Sequence, residues 1–219
     1  MMETQTKRKI MKKLIIAILL FTSTLLAETT VTKTGCVLSQ EGEVAVGWKA
    51  YKTAAKIGVG GVFDKVIYTS VAKEGKNFKE ILVGSSVTIH TGSVNSKNEG
   101  RDKKLVAQFF KLFASETIQA KITGIEAKSK ETGKAKTGTL MVDIEMNGVT
   151  KNIPMKYIFK EGTMHAEGYI DLFDFQGLKA LSSINKACFD LHKGKTWNDV
   201  SIGFDMKIKA DLCNIDIKK

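Results

Sequence analysis

The chain has 219 residues, 43% of them hydrophobic and 26% charged, with 19 Gly, three Cys, a single Pro and a formal net charge of +11. That composition belongs to a folded globular protein and excludes collagen-like, coiled-coil and wholly disordered chains. The length suits one domain or two small ones, and no linker, repeat or charge block divides it.

The first segment has the pattern of an export signal. Lys7, Arg8, Lys9, Lys12 and Lys13 form a basic stretch, and Leu14 to Phe21 is unbroken apolar sequence. Small and polar residues then lead to a cleavage position after Ala27. Leu14 to Ala27 is too short to span a bilayer comfortably, which disfavours the alternative of an uncleaved anchor. The expectation is a leader over 1–27 and one periplasmic domain over 28–219. Removing the leader takes five Lys/Arg and one Glu from totals of 34 and 23, leaving +7. No later apolar run approaches membrane length. The densest basic stretch, Lys121 to Lys136, lacks interleaved aromatics and reads as a solvated loop rather than a nucleic-acid groove.

Period two dominates the sequence after the leader. Val44, Val46, Trp48 and Ala50 alternate with polar or small residues, as do Val87 and Ile89. Arg101 to Phe113 has helical spacing and predicts a short helix with Leu105, Phe109, Leu112 and Phe113 on one face. Asn147-Gly148 predicts a two-residue type I′ hairpin turn. Counting outward from it pairs Met146 with Val149, Ile144 with Lys151, Val142 with Ile153 and Leu140 with Met155. The other parity pairs Glu145 with Thr150 and Asp143 with Asn152, and a one-residue slip would spoil both faces. Pro154 falls on the polar parity, where an edge or bulge tolerates its missing N–H. Asp174 to Lys193 predicts a longer helix before the last strand, with Gly194 placed to end it. From Val200 the residues Ile202, Phe204, Met206, Ile208, Ala210 and Leu212 then share one face. Many amphipathic antiparallel strands with one short and one longer helix predict an all-β sandwich or barrel, and about eight strands would enclose room for one small ligand.

No catalytic constellation emerges. His90 lies on a polar parity, His165 in a Gly-flanked turn and His192 at a helix end, all surface or helix-end positions. Gly194-Lys195-Thr196 resembles the end of a phosphate loop, but Phe189 stands where that loop needs Gly. Gly58 to Gly61 lacks the spacing and the βαβ setting of a dinucleotide site and reads as a bend or close strand packing. Metal-ligand spacing is absent, so neither an enzyme nor a cofactor is expected. The remaining candidates are apolar: Trp48, Phe63, Val142, Ile144, Tyr157, Phe159, Phe204 and Met206 fall on inward parity or apolar runs, which suits a packed core and a ligand-lined interior equally. Cys36, Cys188 and Cys213 suggest one disulfide and one odd thiol in an exported protein. First and last strands of a closed antiparallel barrel are neighbours, which favours Cys36–Cys213, with Cys188–Cys213 as the alternative.

Four stretches resemble the polyisoprenoid-binding YceI-like family of exported bacterial proteins. They are Trp48 to Phe63; Ser93-Val94-Asn95-Ser96 followed by Arg101-Asp102-Lys103-Lys104-Leu105 and Phe109-Phe110; Thr137-Gly138-Thr139-Leu140 running into Asn147-Gly148-Val149-Thr150-Lys151; and the closing strand Val200 to Leu212. They span nearly all of 28–219 in the family's order. Lys103-Lys104 departs from the His that commonly follows Arg-Asp in the family, and the helix Asp174 to Lys193 looks like a subgroup feature. The resemblance implies a lipocalin-like antiparallel barrel, non-catalytic, carrying an isoprenoid-like or other long-chain lipid of quinone or polyprenyl type. Trp48, Phe63, Val142, Ile144, Tyr157, Phe159, Phe204 and Met206 would line it, with Phe109, Phe110 and Phe113 gating it. Arg101 and Asp102 would be structural, capping or pairing locally. The competing reading is a periplasmic stress or interaction protein with a filled barrel acting through its surface, and a homodimer is left open.

Overall fold

The computed structural model describes residues 37–128 and 135–211. The leader, Cys36, Cys213 and the middle of the basic stretch lie outside the described residues.

The described residues open with β1 (Val37–Lys52), β2 (Ile57–Phe63), β3 (Val66–Thr69) and the two-residue β4 (Glu74–Gly75), then α1 (Phe78–Leu82) and β5 (Ser86–His90). A short 3-10 turn (Thr91–Ser93) leads to β6 (Val94–Asn95), α2 (Glu99–Gln108) and a second 3-10 turn (Phe110–Leu112). The long strands β7 (Thr117–Ala127), β8 (Lys136–Met146), β9 (Val149–Lys160) and β10 (Thr163–Asp171) come next. A 3-10 turn (Leu172–Phe175), α3 (Leu178–Ala187) and α4 (Phe189–His192) precede the last strand, β11 (Asp199–Asp211).

All the described strands belong to one antiparallel sheet in the order β3-β5-β7-β8-β9-β10-β11-β1-β2-β6, with β4 paired to β1. Three of the eleven described strands are four residues or fewer, and of the other eight, β1, β5, β8, β9 and β11 are those that alternation marks. β3 and β2 lie near opposite ends of that order, yet only Asp64 and Lys65 join them. β5 and β6 are likewise joined by Thr91–Ser93 alone. The sheet must therefore curl until its edges approach, and the two links run together: Asp64 N donates to Ser93 O at 2.9 Å and His90 N to Lys65 O at 3.1 Å. The predicted adjacency of first and last strands holds, with β1 paired to β11 from Val37↔Asp211 to Lys49↔Ser201 around an irregularity between Glu41 and Ala45.

The hairpin has the expected register throughout, from Met146↔Val149 to Leu140↔Met155 and on to Lys136↔Phe159. Asn147 and Gly148 both take positive φ, as a type I′ turn demands. Pro154 is tolerated because β9 pairs with β10 only as far as Lys156, so no ladder bond is asked of it on that side. Gly61 serves close strand packing, since a Cβ there would lie 2.5 Å from Asn95 O.

Several expectations change. Lys121 to Ala127 is part of β7 rather than loop. His165 sits on β10, exposed and bonded through Nδ1 to Asp205 at 2.8 Å, rather than in a turn. The short helix starts at Glu99, capped by Asn98 Oδ1 accepting from Arg101 N, and breaks at Phe109. Adjacent rings cannot share one helix face, and the break lets Phe109, Phe110 and Phe113 pack edge to face, with Phe109–Phe113 centroids 4.9 Å apart. The longer helix is really three pieces: Gln176 is left-handed before Gly177 starts α3, and Cys188 (φ −120°) interrupts it before α4. Too short to leave a periodic pattern, α1 was not expected.

That unexpected helix closes one end of the barrel. Asn77 caps it, with Glu80 Oε2 accepting from Lys76 N at 2.7 Å, and Ile81 and Leu82 are fully buried. They join Leu140, Tyr157, Met164 and Ile208 in a solid core. Tyr157 lies over Gly138, its cross-strand partner. A Cβ on Gly138 would collide with Glu126 O and sit 2.6 Å from the Tyr157 ring. Gly138→Ala should therefore cost about 1–3 kcal/mol of stability by overpacking, read as a lower urea midpoint at unchanged m-value.

Candidate functional site: an apolar cavity with a basic mouth

Away from α1, the concave face of the sheet is not filled. Two chambers of about 110 and 550 Å³ share the walls Trp48, Phe63, Ile118, Met146, Ile170 and Ile202. The inner chamber is bounded by alternate residues of β1, β7, β8 and β11, among them Val44, Ile122, Val142, Ile144, Phe204 and Met206. The outer chamber lies between the sheet and the helices, which supply Leu105, Phe109, Phe110, Leu181, Ile184 and Leu191. Its size falls in the range of small-molecule sites. At the waist between the chambers, Trp48 Nε1 is a buried donor with no hydrogen-bond partner among the described residues.

Eight of the eleven predicted lining residues come together here. Trp48 and Phe63 form the waist, Val142, Ile144, Phe204 and Met206 the inner chamber, and Phe109 and Phe110 the outer. The other three do not line it. Phe113 packs behind Phe109 and Phe110. Tyr157 and Phe159 pack on Phe78 of α1, at 6.3 and 5.0 Å between centroids, in the closed end. Parity placed them correctly on the inner face, but depth along the barrel decides between plug and cavity. Cys188 is a free, buried thiol on the outer chamber wall, and both other cysteines lie outside the described residues.

The turn residue Asn147 ties the cover down. Its Oδ1 accepts from Ala114 N at 2.8 Å and its Nδ2 donates to Phe175 O at 2.9 Å, so one side chain holds the segments after α2 and before α3. Arg101 and Asp102 are bound up locally, as expected: Arg101 Nε donates to Ser96 Oγ at 2.7 Å and Nη2 to Ser96 O, while Asp102 Oδ1 accepts from Ser96 N and Oγ.

The mouth is polar in a way strand parity could not reveal. Tyr51 and Lys52 end β1, Arg101 and Lys104 lie on α2, His192 closes α4, and Thr196 and Trp197 lead into β11. Lys52 forms a bridge pair with Thr196, and Trp197 Nε1 donates to Thr53 O at 2.8 Å, so two chain segments fix this rim. His192 is half-buried, not a plain surface residue. Burial first, then the charges of Lys52 and Lys104, hold its pKa below the ordinary imidazole value. Among the described residues no cluster could hold a metal ion, and no helix is long and apolar enough to cross a membrane.

A model of the YceI-like domain matches residues 29–212. The chain belongs to the YceI-like family. Among solved structures, this YceI-like chain is similar to a polyisoprenoid binding domain from Saccharophagus degradans implicated in plant cell wall breakdown, with a TM-score of 0.53, 11% identity and coverage of 80% of this chain and 98% of that one. A mutant YceI protein of Campylobacter jejuni aligns at 20% identity and a TM-score of 0.50, covering 70% and 85%. At these identities the likeness establishes the fold. No curated protein matches the sequence.

In the YceI-like chain the lowered pKa of His192 makes a measurable statement. Folding disfavours its protonation, so its contribution to stability is complete above the unfolded value of about 6.5 and is lost as pH falls through that value towards the folded one. NMR titration of the His192 ring should give a midpoint below about 6.5, and Lys52→Gln or Lys104→Gln should each raise it. A midpoint unmoved by both substitutions would detach the two ammonium groups from this ring.

Proposed function

We propose that the protein is a non-catalytic carrier that holds a long-chain, isoprenoid-like lipid, of quinone or polyprenyl type, inside the barrel. The observation that carries the reading is the pair of adjoining apolar chambers, which share six wall residues, with α1 packed in the closed end and the helices over the outer one. The polyisoprenoid-binding domain of similar fold supports it. The competing reading required a filled barrel, and this interior is hollow. Export to the periplasm belongs to the same proposal and rests on the basic and apolar runs before Ala27.

A chain-like lipid suits the site because the walls offer area rather than directed bonds. Each buried CH₂ contributes about 0.8 kcal/mol, so a ten-carbon tail contributes about 8 kcal/mol before ordering costs, a ceiling near micromolar affinity.

Native mass spectrometry of the mature protein from its own compartment, repeated after organic extraction, should show a stoichiometric long-chain lipid. A protein that is empty and also refuses added quinones and polyprenyl lipids would overturn the carrier reading. Phe204→Arg, which places a charge on the inner chamber wall, should abolish lipid retention. Ile184→Trp should do so by filling the outer chamber while leaving the β-sheet circular dichroism intact. Lipid recovered unchanged from both folded variants would show that it binds elsewhere.

A further inference from the structure

The outer chamber is apolar along its length but not at its mouth. Lys52, Arg101, Lys104 and His192 stand there, and no Asp or Glu among the described residues lines the chamber. Three separate elements bring these groups together, the end of β1, α2 and α4. Of the lysines around the rim, Lys56 pairs with Asp199 and Lys103 with Glu99, each at 2.6 Å, while Lys49 and Lys195 lie over the Tyr51 and Trp197 rings at 5.7 and 4.5 Å. Lys52 and Lys104 make no ion pair among the described residues. Collecting like charges beside a low-dielectric cavity is unfavourable unless an anion joins them.

His192 is oriented for the same purpose. Asn185 Nδ2 donates to Gly194 O at 3.2 Å, which leaves Asn185 Oδ1 as an acceptor for the Thr196 hydroxyl at 2.8 Å. With its proton committed there, Thr196 Oγ1 can only accept from His192 Nδ1, 2.6 Å away. The ring is thus held by Nδ1–H, and Nε2 has no protein hydrogen bond among the described residues. An anion beside it favours the imidazolium, whose Nε2–H then donates to that anion.

We propose that the lipid bears an anionic head, a phosphate or a carboxylate, seated between Lys52, Lys104 and His192 with its tail running inward past Trp48. The inference rests on the carrier reading and adds the head chemistry to it. It also supplies affinity that a short tail alone lacks, because charge-assisted hydrogen bonds exceed neutral ones.

The test uses delipidated mature protein and two matched pairs, farnesyl phosphate against farnesol and palmitate against hexadecanol, each displacing the neutral probe N-phenyl-1-naphthylamine. The anionic member of at least one pair should bind roughly ten- to a hundredfold more tightly than its alcohol, with the margin shrinking as salt is added. Which pair shows the larger margin distinguishes phosphate from carboxylate. Lys52→Gln with Lys104→Gln should bring the ratio towards one, whereas Lys103→Gln should leave it intact. Equal binding of anion and alcohol by the unsubstituted protein would overturn the head assignment and leave the carrier reading standing. Binding of no lipid in either pair would overturn both.

Discussion

Strands that stand near opposite ends of the hydrogen-bond order are tethered by two and three residues, and the rest of the structure depends on that constraint. A flat sheet would separate β2 from β3, and β5 from β6, by the width of the intervening strands. Asp64-Lys65 and Thr91–Ser93 cannot span such a gap. The sheet therefore rolls, and its inner faces look at one another across a common axis. Rolling also places β1 against β11 in the longest-range pairing among the described strands, which holds the first of them to the last.

Once rolled, the interior is decided by what enters from each end. At one end a five-residue helix drives Ile81 and Leu82 between the strands, and Tyr157 lies over Gly138 to complete a solid floor. At the other end the covering helices are broken where unbroken ones were expected. The break at Phe109 turns both Phe109 and Phe110 onto the chamber, and the break at Cys188 brings His192 round to Thr196. A roof of short pieces, tied at Asn147, spans the opening without filling the space beneath it.

The result is an interior with graded chemistry. The inner chamber is walled by aliphatic and aromatic side chains, the waist holds an indole N–H without a partner among the described residues, and the mouth gathers basic side chains. Such a gradient suits an amphiphile lying along the axis. Burial favours the tail, and the cost of desolvating a charged head keeps that head at the rim.

Much of this was legible in the sequence. Alternation identified the inward faces of β1, β8, β9 and β11, and Asn147-Gly148 determined the hairpin register residue by residue, because period two leaves no second register that buries one face. All eleven candidate lining residues came from parity, apolar runs and the family resemblance, and eight of them stand on the chamber walls. Only the tertiary structure decided the rest. Parity says which face a side chain occupies but not how far along the axis it lies, so Tyr157 and Phe159 looked like lining and are floor. Helical spacing says nothing of where a helix breaks, and the roof breaks at Phe109 and Cys188. The basic mouth is built from a strand end, two helices and a loop that meet only in the folded chain, and residues 52, 104 and 192 carry no sequence signal that they converge.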